Sequence, residues 1–597
     1  MDGADPRFAP DAPQGERLYA PAADERQFSA RAVLAGCLLG GVVSAMNIYF
    51  GLRTGWSIGG SLIAAILGYS LFSVLRPSTA YTRLEANITQ TAGSAAGSMT
   101  SAAGLLAAIP ALGMLGVELS WLQLTVWALS VAYLGVFFAV PLRRQMVVVE
   151  KLRFPTGTAT AETIMAMFSS GGDAKAKARA LLLWGLGAGL FTLAAFFIPQ
   201  LGHPPLEFGV LAIASAWGFS ILISPLMAGA GILIGMRVAA SLFAGAVVSW
   251  AILGPYAQSQ GWAAGEIMNY SDGVRGWLLW PGVAIMVADA LTRLALSWRT
   301  ILNTFTASAP SSGEDIVEDP DQMIPNSWWI GGLVVATAAT TAVAAVVFSI
   351  PWYLTLLAVA MSSVLAMIAV RSTGETDINP IGGMGKITQL VYGGVAPGAM
   401  TTNLMAAAIT GAGASQAGDM MQDLKTGYLL GANPRKQFQA QLLGIFAGVL
   451  FCVPIYKLFD SAYEIGGEEL PAPAAHAWRA MAELLSEGLS ALPPQASAAV
   501  IGGLIFGAIM AVLGQHGPKA IRPYLPSGLA FGIAFIVPAY YSVAMFIGAV
   551  VFALWKRRSP SAAEALGFSI ASGLIAGEGL MGIVVAILTL LGVQPLT

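Results

Sequence analysis

The chain has 597 residues, of which 56% are hydrophobic and 10% are charged, and its mean hydropathy is +0.71. Soluble proteins carry about 25% charged residues, so this composition excludes an ordinary soluble protein and predicts a polytopic membrane protein. The formal net charge of -2 supplies no basic field, so we expect no nucleic acid partner.

Apolar segments long enough to cross or half cross a bilayer recur from residue 31 to the C-terminus. They are continuous apolar runs rather than short alternating strands, which favours helices over a barrel. The predicted fold class is all-α, with about 16 transmembrane elements that include broken or re-entrant helices. In chain order the elements are 31–51, 56–75, 88–109, 119–141, 178–199, 208–223, 225–236, 238–254, 276–296, 328–350, 352–370, 395–421, 437–457, 496–513, 527–555 and 564–592.

The segments that flank the first elements predict an orientation. Residues 1–28 are polar and rich in Pro and Ala, without the apolar core of a signal peptide, which predicts a disordered cytoplasmic tail. Arg26 and Arg31 precede the first element and Arg143 follows the fourth, whereas the turn at 110–118 has no basic residue. Because basic loops stay in the cytoplasm, the N-terminus is predicted to be cytoplasmic in a multi-pass protein of the inner or plasma membrane.

The sequence repeats itself. Residues 224–250 align without gaps on 527–553, and "GSAAGSM" at 93–99 aligns on "ASQAGDM" at 414–420, with similar offsets. We therefore predict two membrane repeats, 29–300 and 328–597, with a polar linker at 301–327. Internal symmetry of this kind is typical of secondary transporters. A second polar stretch, 458–495, is predicted to be a solvent loop that contains an amphipathic helix.

Polar residues gather in four clusters beside or within apolar segments, where ionisable groups need a partner, a cavity or a function. The clusters are "NIYFGLRTGW" (47–56), "RLEANITQTAGSAAGS" (83–98), "GETDINPIGGMGKITQLVYGG" (374–394) and "GASQAGDMMQDLKTGYLLGANPRKQFQAQ" (413–441). In the last cluster Ser415, Asp419 and Asp423 share one helical face, and the two carboxylates repel unless a cation or a shared proton lies between them. The alternative is a helix end with solvated charges.

Asn379-Pro380 and the glycines that follow predict a non-helical link at 374–394, either an ordinary connector or the lining of a cavity. Among isolated groups, Glu578 interrupts the last apolar segment, and Asp289 with Arg293 has the spacing of a structural ion pair. His203, His476 and His516 are scattered, so we interpret them as loop residues and expect neither a metal site nor a cofactor.

Together these segments resemble the oligopeptide transporter (OPT) family, in its prokaryotic and yellow stripe-like branch. The resemblance rests on "NIYFGLRTGW", "GETDINPIGGMGKITQLVYGG" and "ASQAGDMMQDLKTGYLLGANPRKQF", which occur in the order of the family's signature segments, and it runs from about residue 30 to 592. The NPG and KIPPR segments of the eukaryotic peptide branch are missing.

The resemblance implies a secondary, proton-coupled symporter of small peptides or peptide-like solutes, including glutathione, or alternatively of metal chelates of the siderophore or nicotianamine type. It also implies a homodimer. The expected substrate ligands are Asn47, Tyr49, Arg53, Asn87, Gln90, Glu375, Asp377, Asn379, Lys386, Gln389, Ser415 and Gln416. The expected proton-coupling residues are Glu85, Glu375, Asp419, Asp423 and Glu578.

Two other classes stay open at this point. Asp419-x-x-x-Asp423 resembles half of the aspartate-rich, magnesium-binding pair of polyprenyl transferases, but the second motif is missing. A passive channel is distinguished from a symporter by whether solute accumulates above equilibrium.

Overall fold

The computed structural model describes residues 17–22, 24–169, 171–205, 209–270, 272–298, 322–377, 379–518 and 520–596. These residues form helices joined by turns and irregular segments, and no strand occurs among them beyond one isolated bridge between Ile465 and Leu470. Eleven of the described helices are long and apolar enough to cross a membrane. The predicted all-α, polytopic membrane architecture is confirmed.

The first half of the chain contributes thirteen helices, counted among the described residues. They are α1 (Ala30–Thr54), α2 (Gly60–Leu75), α3 (Arg83–Gly97), α4 (Met99–Ala102), α5 (Ala108–Gly113), α6 (Trp121–Arg143), α7 (Pro155–Ser169), α8 (Gly171–Phe197), α9 (Pro199–Gly202), α10 (Gly209–Ala216), α11 (Pro225–Ala246), α12 (Gly254–Ser259) and α13 (Val274–Leu296). Two of them continue as π-helices, α6 through Arg144–Val149 and α11 through Val247–Leu253.

The second half contributes ten more α-helices on the same basis. They are α14 (Asn326–Phe348), α15 (Trp352–Thr376), α16 (Ile381–Val395), α17 (Met400–Leu429), α18 (Pro434–Ala462), α19 (Pro473–Glu487), α20 (Ala496–His516), α21 (Gly528–Ile536), α22 (Ala539–Arg558) and α23 (Pro560–Leu590).

Several membrane helices are interrupted. Gly235 has φ 77° and ψ 168° inside α11, a conformation that glycine adopts readily and that separates the predicted elements 225–236 and 238–254. The predicted element 527–555 is divided into α21 and α22, because Pro538 follows an extended residue, Val537. The predicted element 88–109 is likewise divided among α3, α4 and α5.

Helix α1 defines the two ends of the bundle, which we call the Arg31 end and the Arg53 end. At the Arg31 end, Arg31 contacts the segment before α3, and the backbone of Leu18 bonds to the last residue of α17. At the Arg53 end, the Leu52 carbonyl accepts a hydrogen bond from the Ala472 N–H before α19.

Helix α3 is rich in polar residues, yet every residue from Leu84 to Gly97 is buried. Small residues allow this close packing. A methyl group on Gly40 of α1 would strike the backbone of Gly93, and one on Gly444 of α18 would strike the Ala92 carbonyl. Such small-residue contacts bring helix backbones together in membrane proteins.

The two aligned segments, 224–250 and 527–553, pack against each other. Gly245 lies against the Phe531 carbonyl, and Gly548 lies against the Ala228 carbonyl, so the second contact is the first with the aligned residues exchanged. The aligned residues Phe243 and Phe546 stack on one another with ring centroids 4.8 Å apart.

Two predictions about polar segments need correction. Within the tail predicted to be disordered, residues 17–22 and 24–28 are ordered against other helices, because Leu18 bonds to Leu429 and Gln27 exchanges hydrogen bonds with the Asn433 backbone. Residues 1–16 lie outside the described residues, as do residues 301–321 of the predicted linker.

The stretch 458–495 is a solvent loop only in part, because exposed residues such as Glu469 alternate with buried ones. Its first residues extend α18 to Ala462, and its predicted amphipathic helix is present as α19 but is buried within the protein. Trp478 fits against Gly385 of α16, which supplies the apolar contact that the local sequence does not reveal. His476, interpreted as a loop residue, is also buried there.

Candidate functional site

The most polar part of the bundle lies where α3 meets α17. Gln90 donates a hydrogen bond to the Asp423 carboxylate, and the Ser61 hydroxyl lies 3.2 Å from the same oxygen, Oδ1. Gln437 of α18 donates to the Asp423 backbone carbonyl at 2.8 Å. The second carboxylate oxygen of Asp423 is buried, and no hydrogen-bond partner for it occurs in the described part of the chain. We call Ser61, Gln90, Asp423 and Gln437 the Asp423 cluster.

Asp419 lies one turn before Asp423 on the same helix. Its side chain is half-buried, and no hydrogen bond or ion pair involves it in the described part of the chain. Two carboxylates one turn apart repel each other, so a bound proton or cation stabilises this arrangement. Asp419 and Asp423 share one helical face, as predicted. Because Asp419 is half-buried and Asp423 is buried, this face lies inside the bundle rather than at a solvated helix end.

Among the described residues, three more amide side chains, on α3, on α17 and in the break before α16, have unpaired polar atoms. Gln416 donates to the Ser98 hydroxyl at 2.8 Å, and Asn379 donates to the Ala414 carbonyl at 2.9 Å, but the side-chain oxygen of each amide is unpaired. Asn87 is fully buried with neither polar atom paired. Ser415 is buried beside them on α17. Buried polar atoms are rarely left unpaired, so these amides are candidate ligands for a polar solute.

The prediction of a non-helical link at 374–394 is wrong for most of its length. Helix α15 continues to Thr376, and α16 begins at Ile381, so the described break is confined to Asp377, Asn379 and Pro380. The glycines of α16 are tolerated in a helix because tertiary packing, such as Gly385 against Trp478, compensates for their low helix propensity.

Asp377 occupies the left-handed region at φ 67° and ends α15. Its carboxylate accepts hydrogen bonds from the Thr156 N–H at 3.0 Å, the Thr156 hydroxyl at 2.8 Å and the Gln422 amide at 2.6 Å. It therefore caps the N-terminus of α7 and joins that helix to α17. This geometry favours a positioning role for Asp377 over direct contact with a solute.

Glu375 takes part in an ion cluster that the sequence did not predict. Arg371 is buried and lies 2.6 Å from Glu150 and 3.4 Å from Glu375. The sequence alone could have indicated that Arg371 has an acidic partner, because an arginine near the end of an apolar helix needs a counter-ion. Its partner Glu150 was not predictable, since it is distant in sequence.

Lys386 and Gln389 lie on α16. Lys386 is buried, and no carboxylate of the described residues lies within ion-pair distance of it. Gln389 donates to the Trp478 carbonyl at 3.0 Å, which ties α16 to α19, and its side-chain oxygen is unpaired.

A second polar site lies at the Arg53 end. Arg53 is 3.0 Å from Glu578 of α23, and both side chains are buried. Glu578 also accepts hydrogen bonds from the Ser224 hydroxyl and, at 2.8 Å, from the Leu226 N–H at the start of α11. The N-terminus of a helix stabilises a carboxylate, so α11 and Arg53 together hold Glu578 in place.

This second site lines a cavity of about 320 Å³. The guanidinium of Arg53 lies over the ring of Tyr49 at 4.8 Å and over that of Tyr541 at 5.7 Å, which supports the cation between two aromatic faces. Glu469, from the segment before α19, approaches Arg53 at 3.6 Å and is exposed. We call Tyr49, Arg53, Glu469 and Glu578 the Arg53 site.

Two larger cavities, of about 660 and 610 Å³, lie on either side of a stacked pair formed by Tyr270 and His476. Their ring centroids are 4.0 Å apart, and Arg275 lies 4.2 Å from the Tyr270 ring. Tyr270 precedes α13, Arg275 lies in the first turn of α13 and His476 lies in α19. None of them was among the predicted site residues.

Two other predicted residues have structural contacts. Asn47 uses its amide to join α1 to the turn before α2, through the Ile58 backbone at 2.9 and 3.0 Å. Glu85 is held by Arg31 at 2.5 Å and by Ser29, and it completes a capping box with Thr82. Neither joins the Asp423 cluster, and the predicted proton-coupling role of Glu85 stays a prediction.

The fold and these sites define a class of protein, namely a helical membrane protein that encloses charged side chains and cavities between its helices, as transporters do. A family model described as OPT oligopeptide transporter protein matches residues 27–589. The chain belongs to the oligopeptide transporter family, and it is a transporter rather than an enzyme.

Relatives cover most of the chain. A Saccharomyces cerevisiae protein provisionally named as an oligopeptide transporter is 27% identical, over 94% of this chain and 95% of the relative. A metal-nicotianamine transporter of Arabidopsis thaliana is 28% identical, over 80% of this chain and 74% of the relative. A protein of Oryza sativa subsp. japonica, provisionally named as a metal-nicotianamine transporter, is 30% identical, over 78% of this chain and 69% of the relative. The prokaryotic branch stays a prediction.

Proposed function

We propose that this transporter is a proton-coupled symporter of small peptides or peptide-like solutes, which bind between two related halves of the chain. The observation that carries this proposal is the Arg53 site, where a buried cation and two carboxylates line a cavity of about 320 Å³. Cavities that bind small molecules measure about 300–1,000 Å³.

The charges of the Arg53 site match a zwitterion. The guanidinium of Arg53 is suited to a solute carboxylate, and Glu469 and Glu578 are suited to an ammonium group. Glu469 is exposed and lies 3.6 Å from Arg53, so a solute carboxylate can replace it at little energetic cost.

Repeated contacts support the proposal of two halves. In the first half α1 and α2 pack on α3, and in the second half α15 and α16 pack on α17 in the same way. Each central helix also packs on a helix of the other half, α3 on α18 and α17 on α6. Helix α8 packs on α23 as α20 packs on α13. The end of α15 lies toward the Arg31 end, because Gln422 of α17 bonds to Asp377 and α17 ends at Leu429, beside Leu18. Helix α1 runs from the Arg31 end toward the Arg53 end, so α15 runs in the opposite direction. With the exchanged contacts of Gly245 and Gly548, these correspondences favour an inverted repeat.

For proton coupling we propose Asp419 and Asp423. Their one-turn spacing allows a single proton to relieve the repulsion, and the unpaired oxygen of Asp423 can hold that proton. Glu578 is a second candidate, since its protonation would release Arg53 for a solute carboxylate.

The basic residues at the Arg31 end favour a cytoplasmic location for that end, with the N-terminus inside and the protein in the inner or plasma membrane. The Arg53 site would then face the outside. The homodimer is proposed on family resemblance alone.

The proposed test uses purified protein in liposomes with an inward proton gradient. We expect Asp423→Asn to lose gradient-driven uptake of a dipeptide or glutathione by at least about tenfold while it retains counterflow, because exchange of solute needs no net proton movement. Asp419→Asn should have the same effect if the two carboxylates share the proton.

Glu564→Gln is the matched control, because it removes an exposed acid that pairs with Lys556 away from both sites. Uptake by the wild-type protein that is indifferent to both pH gradient and voltage would contradict proton coupling. Normal driven uptake by Asp423→Asn would show that Asp423 has been misassigned.

Metal chelates are the second candidate substrate, favoured by the metal-nicotianamine names of two relatives. A thermal-shift screen against short peptides, glutathione and metal chelates separates the two classes, because a ligand that binds the folded state raises its unfolding temperature. Stabilisation by a nicotianamine chelate but by no peptide would assign the chelate.

A further inference from the structure

Two short helices begin in the same unusual way. Phe154 precedes Pro155 of α7 with φ 42°, and Ala472 precedes Pro473 of α19 with φ 40°. Both residues are in the left-handed region, which non-glycine residues rarely adopt. One junction lies in each half of the chain, and both have the same backbone geometry. They therefore mark equivalent positions in the two halves, although the residues around them do not match in sequence.

Each junction is bonded to the end of a long helix from the other half. The Phe154 N–H donates to the Gly374 carbonyl near the end of α15 at 2.9 Å, and the Ala472 N–H donates to the Leu52 carbonyl near the end of α1 at 2.7 Å. The first junction lies toward the Arg31 end of the bundle, because Asp377 at the end of α15 bonds to Gln422 of α17, the helix whose last residue bonds to Leu18. The second lies at the Arg53 end, beside Leu52 of α1.

An ion pair crosses each junction. At the Arg31 end, Arg371 of α15 lies 2.6 Å from Glu150, four residues before Phe154. At the Arg53 end, Arg53 of α1 lies 3.6 Å from Glu469, three residues before Ala472. In both cases an arginine near the end of a long helix meets a glutamate that precedes a short helix of the opposite half.

The two pairs differ in how tightly they are closed. The Glu150 side chain is 14% exposed and the Glu469 side chain is 70% exposed. The looser pair lines the cavity of about 320 Å³, whereas in the tighter pair Arg371 is buried and Glu150 also accepts a hydrogen bond from Gln145 at 2.8 Å. Each arginine also has a second carboxylate, Glu375 at 3.4 Å for Arg371 and Glu578 at 3.0 Å for Arg53.

We propose that Arg371–Glu150 and Arg53–Glu469 are equivalent gate pairs that close the two ends of one transport path in alternation, with the Arg371–Glu150 gate closed and the Arg53–Glu469 gate loosened in this structure. The inference rests on the proposed function, in which solute binds between the two halves. It assigns positioning roles to Arg371 and Glu150, which hold the path closed without contacting solute in this state.

Site-directed thiol labelling tests this proposal without any substrate. Cys37 and Cys452, which are both free thiols, are first replaced by Ala. One reporter variant then carries Thr373→Cys, a buried position two residues beyond Arg371, and a second carries Thr192→Cys, which lines the cavity at the Arg53 end. Each is labelled in membranes with an impermeant maleimide.

Loss of the Arg371–Glu150 pair should shift the protein toward the state open at the Arg31 end. We expect Glu150→Gln to raise the labelling rate of the position 373 thiol about fivefold and to lower that of the position 192 thiol, because one ion pair of this kind biases a two-state equilibrium by about this factor. Glu469→Gln should change both rates in the opposite directions. The swap of Arg371→Glu with Glu150→Arg should restore the original rates.

Glu564→Gln is again the control, since it removes an ion pair of 3.1 Å that spans no junction. Unchanged labelling of the position 373 thiol in Glu150→Gln, or a rise at both reporter positions together, would overturn the proposal. Labelling needs no solute, so its result does not depend on the substrate or the coupling ion. An error in either of those would change the uptake assay alone.

Discussion

At the scale of single residues, the arrangement around Arg53 explains how a cation and an acid are kept inside the bundle. Arg53 has Glu578 at 3.0 Å and two tyrosine rings on its faces, and Glu578 has the Ser224 hydroxyl and a helix N-terminus. Neither charge is buried without compensation. The same arrangement makes the site sensitive to removal of one partner.

Arg53→Gln should therefore destabilise the protein more than the double variant Arg53→Gln with Glu578→Gln. The single change leaves a buried carboxylate unpaired, which costs about 3–5 kcal/mol, whereas the double change removes both charges. Thermal unfolding of the detergent-solubilised protein measures the difference. Equal unfolding temperatures for the single and double variants would contradict the buried pair.

The polar residues also show what could be predicted from the sequence at this scale. The grouping of Asp419 with Asp423 followed from helical spacing, and Glu578 was identified because it interrupts an apolar helix. The bonds of Asp423 to Gln90 and of Arg371 to Glu150 join residues far apart in the chain. Spacing along one helix carries no information about such partners.

At the scale of elements, the polar helix α3 is stable in the bundle because glycines on its neighbours allow close contact. It is not among the eleven helices that are long and apolar enough to cross a membrane, although the sequence predicted a membrane element at 88–109. Its hydrogen-bonding side chains face α17 and α18 instead of lipid.

Gly40→Ala should lower the free energy of unfolding by about 1–3 kcal/mol, because the added methyl group meets the Gly93 backbone and the helices must separate. Gly187→Ala is the matched control on α8, where an added methyl group meets no atom within 4 Å. The control should be neutral or stabilising by about 0.5–1 kcal/mol, since alanine favours a helix over glycine. Equal losses in both variants, measured by thermal unfolding, would refute the packing argument.

The long apolar helices were predicted from the sequence, whereas the glycine-rich helix α16 was not. Apolar length predicted the long helices, and the predicted break between 225–236 and 238–254 lies close to Gly235, whereas the break at Pro538 was not predicted. Helix α16 was missed because its glycines and polar residues indicate a loop when considered alone. Contact with Trp478 outweighs that local preference, and propensity is a weak guide where tertiary contacts are strong.

At the scale of the whole molecule, the two halves interdigitate. Helices α3, α6, α8, α11 and α13 of the first half each pack on a helix of the second half, respectively α18, α17, α23, α22 and α20. Neither half keeps its polar residues enclosed by itself, since the Asp423 cluster takes Ser61 and Gln90 from the first half and Asp423 and Gln437 from the second.

A chain divided within the linker 301–327 should therefore assemble when both fragments are produced together. Each fragment produced alone should be degraded, because its buried polar surface would face lipid. Co-purification through a tag on one fragment, followed by the liposome uptake assay, measures assembly. Stable, monodisperse single fragments would contradict this dependence.

The amino-acid sequence by itself determined the membrane class, the long helices and the family resemblance, because all of these depend on composition and on order along the chain. The tertiary structure decided which polar residues meet, that most of α19 within 458–495 is buried, and that Asp377 caps α7 across the bundle. These contacts depend on the packing of helices from opposite halves, which no local pattern encodes.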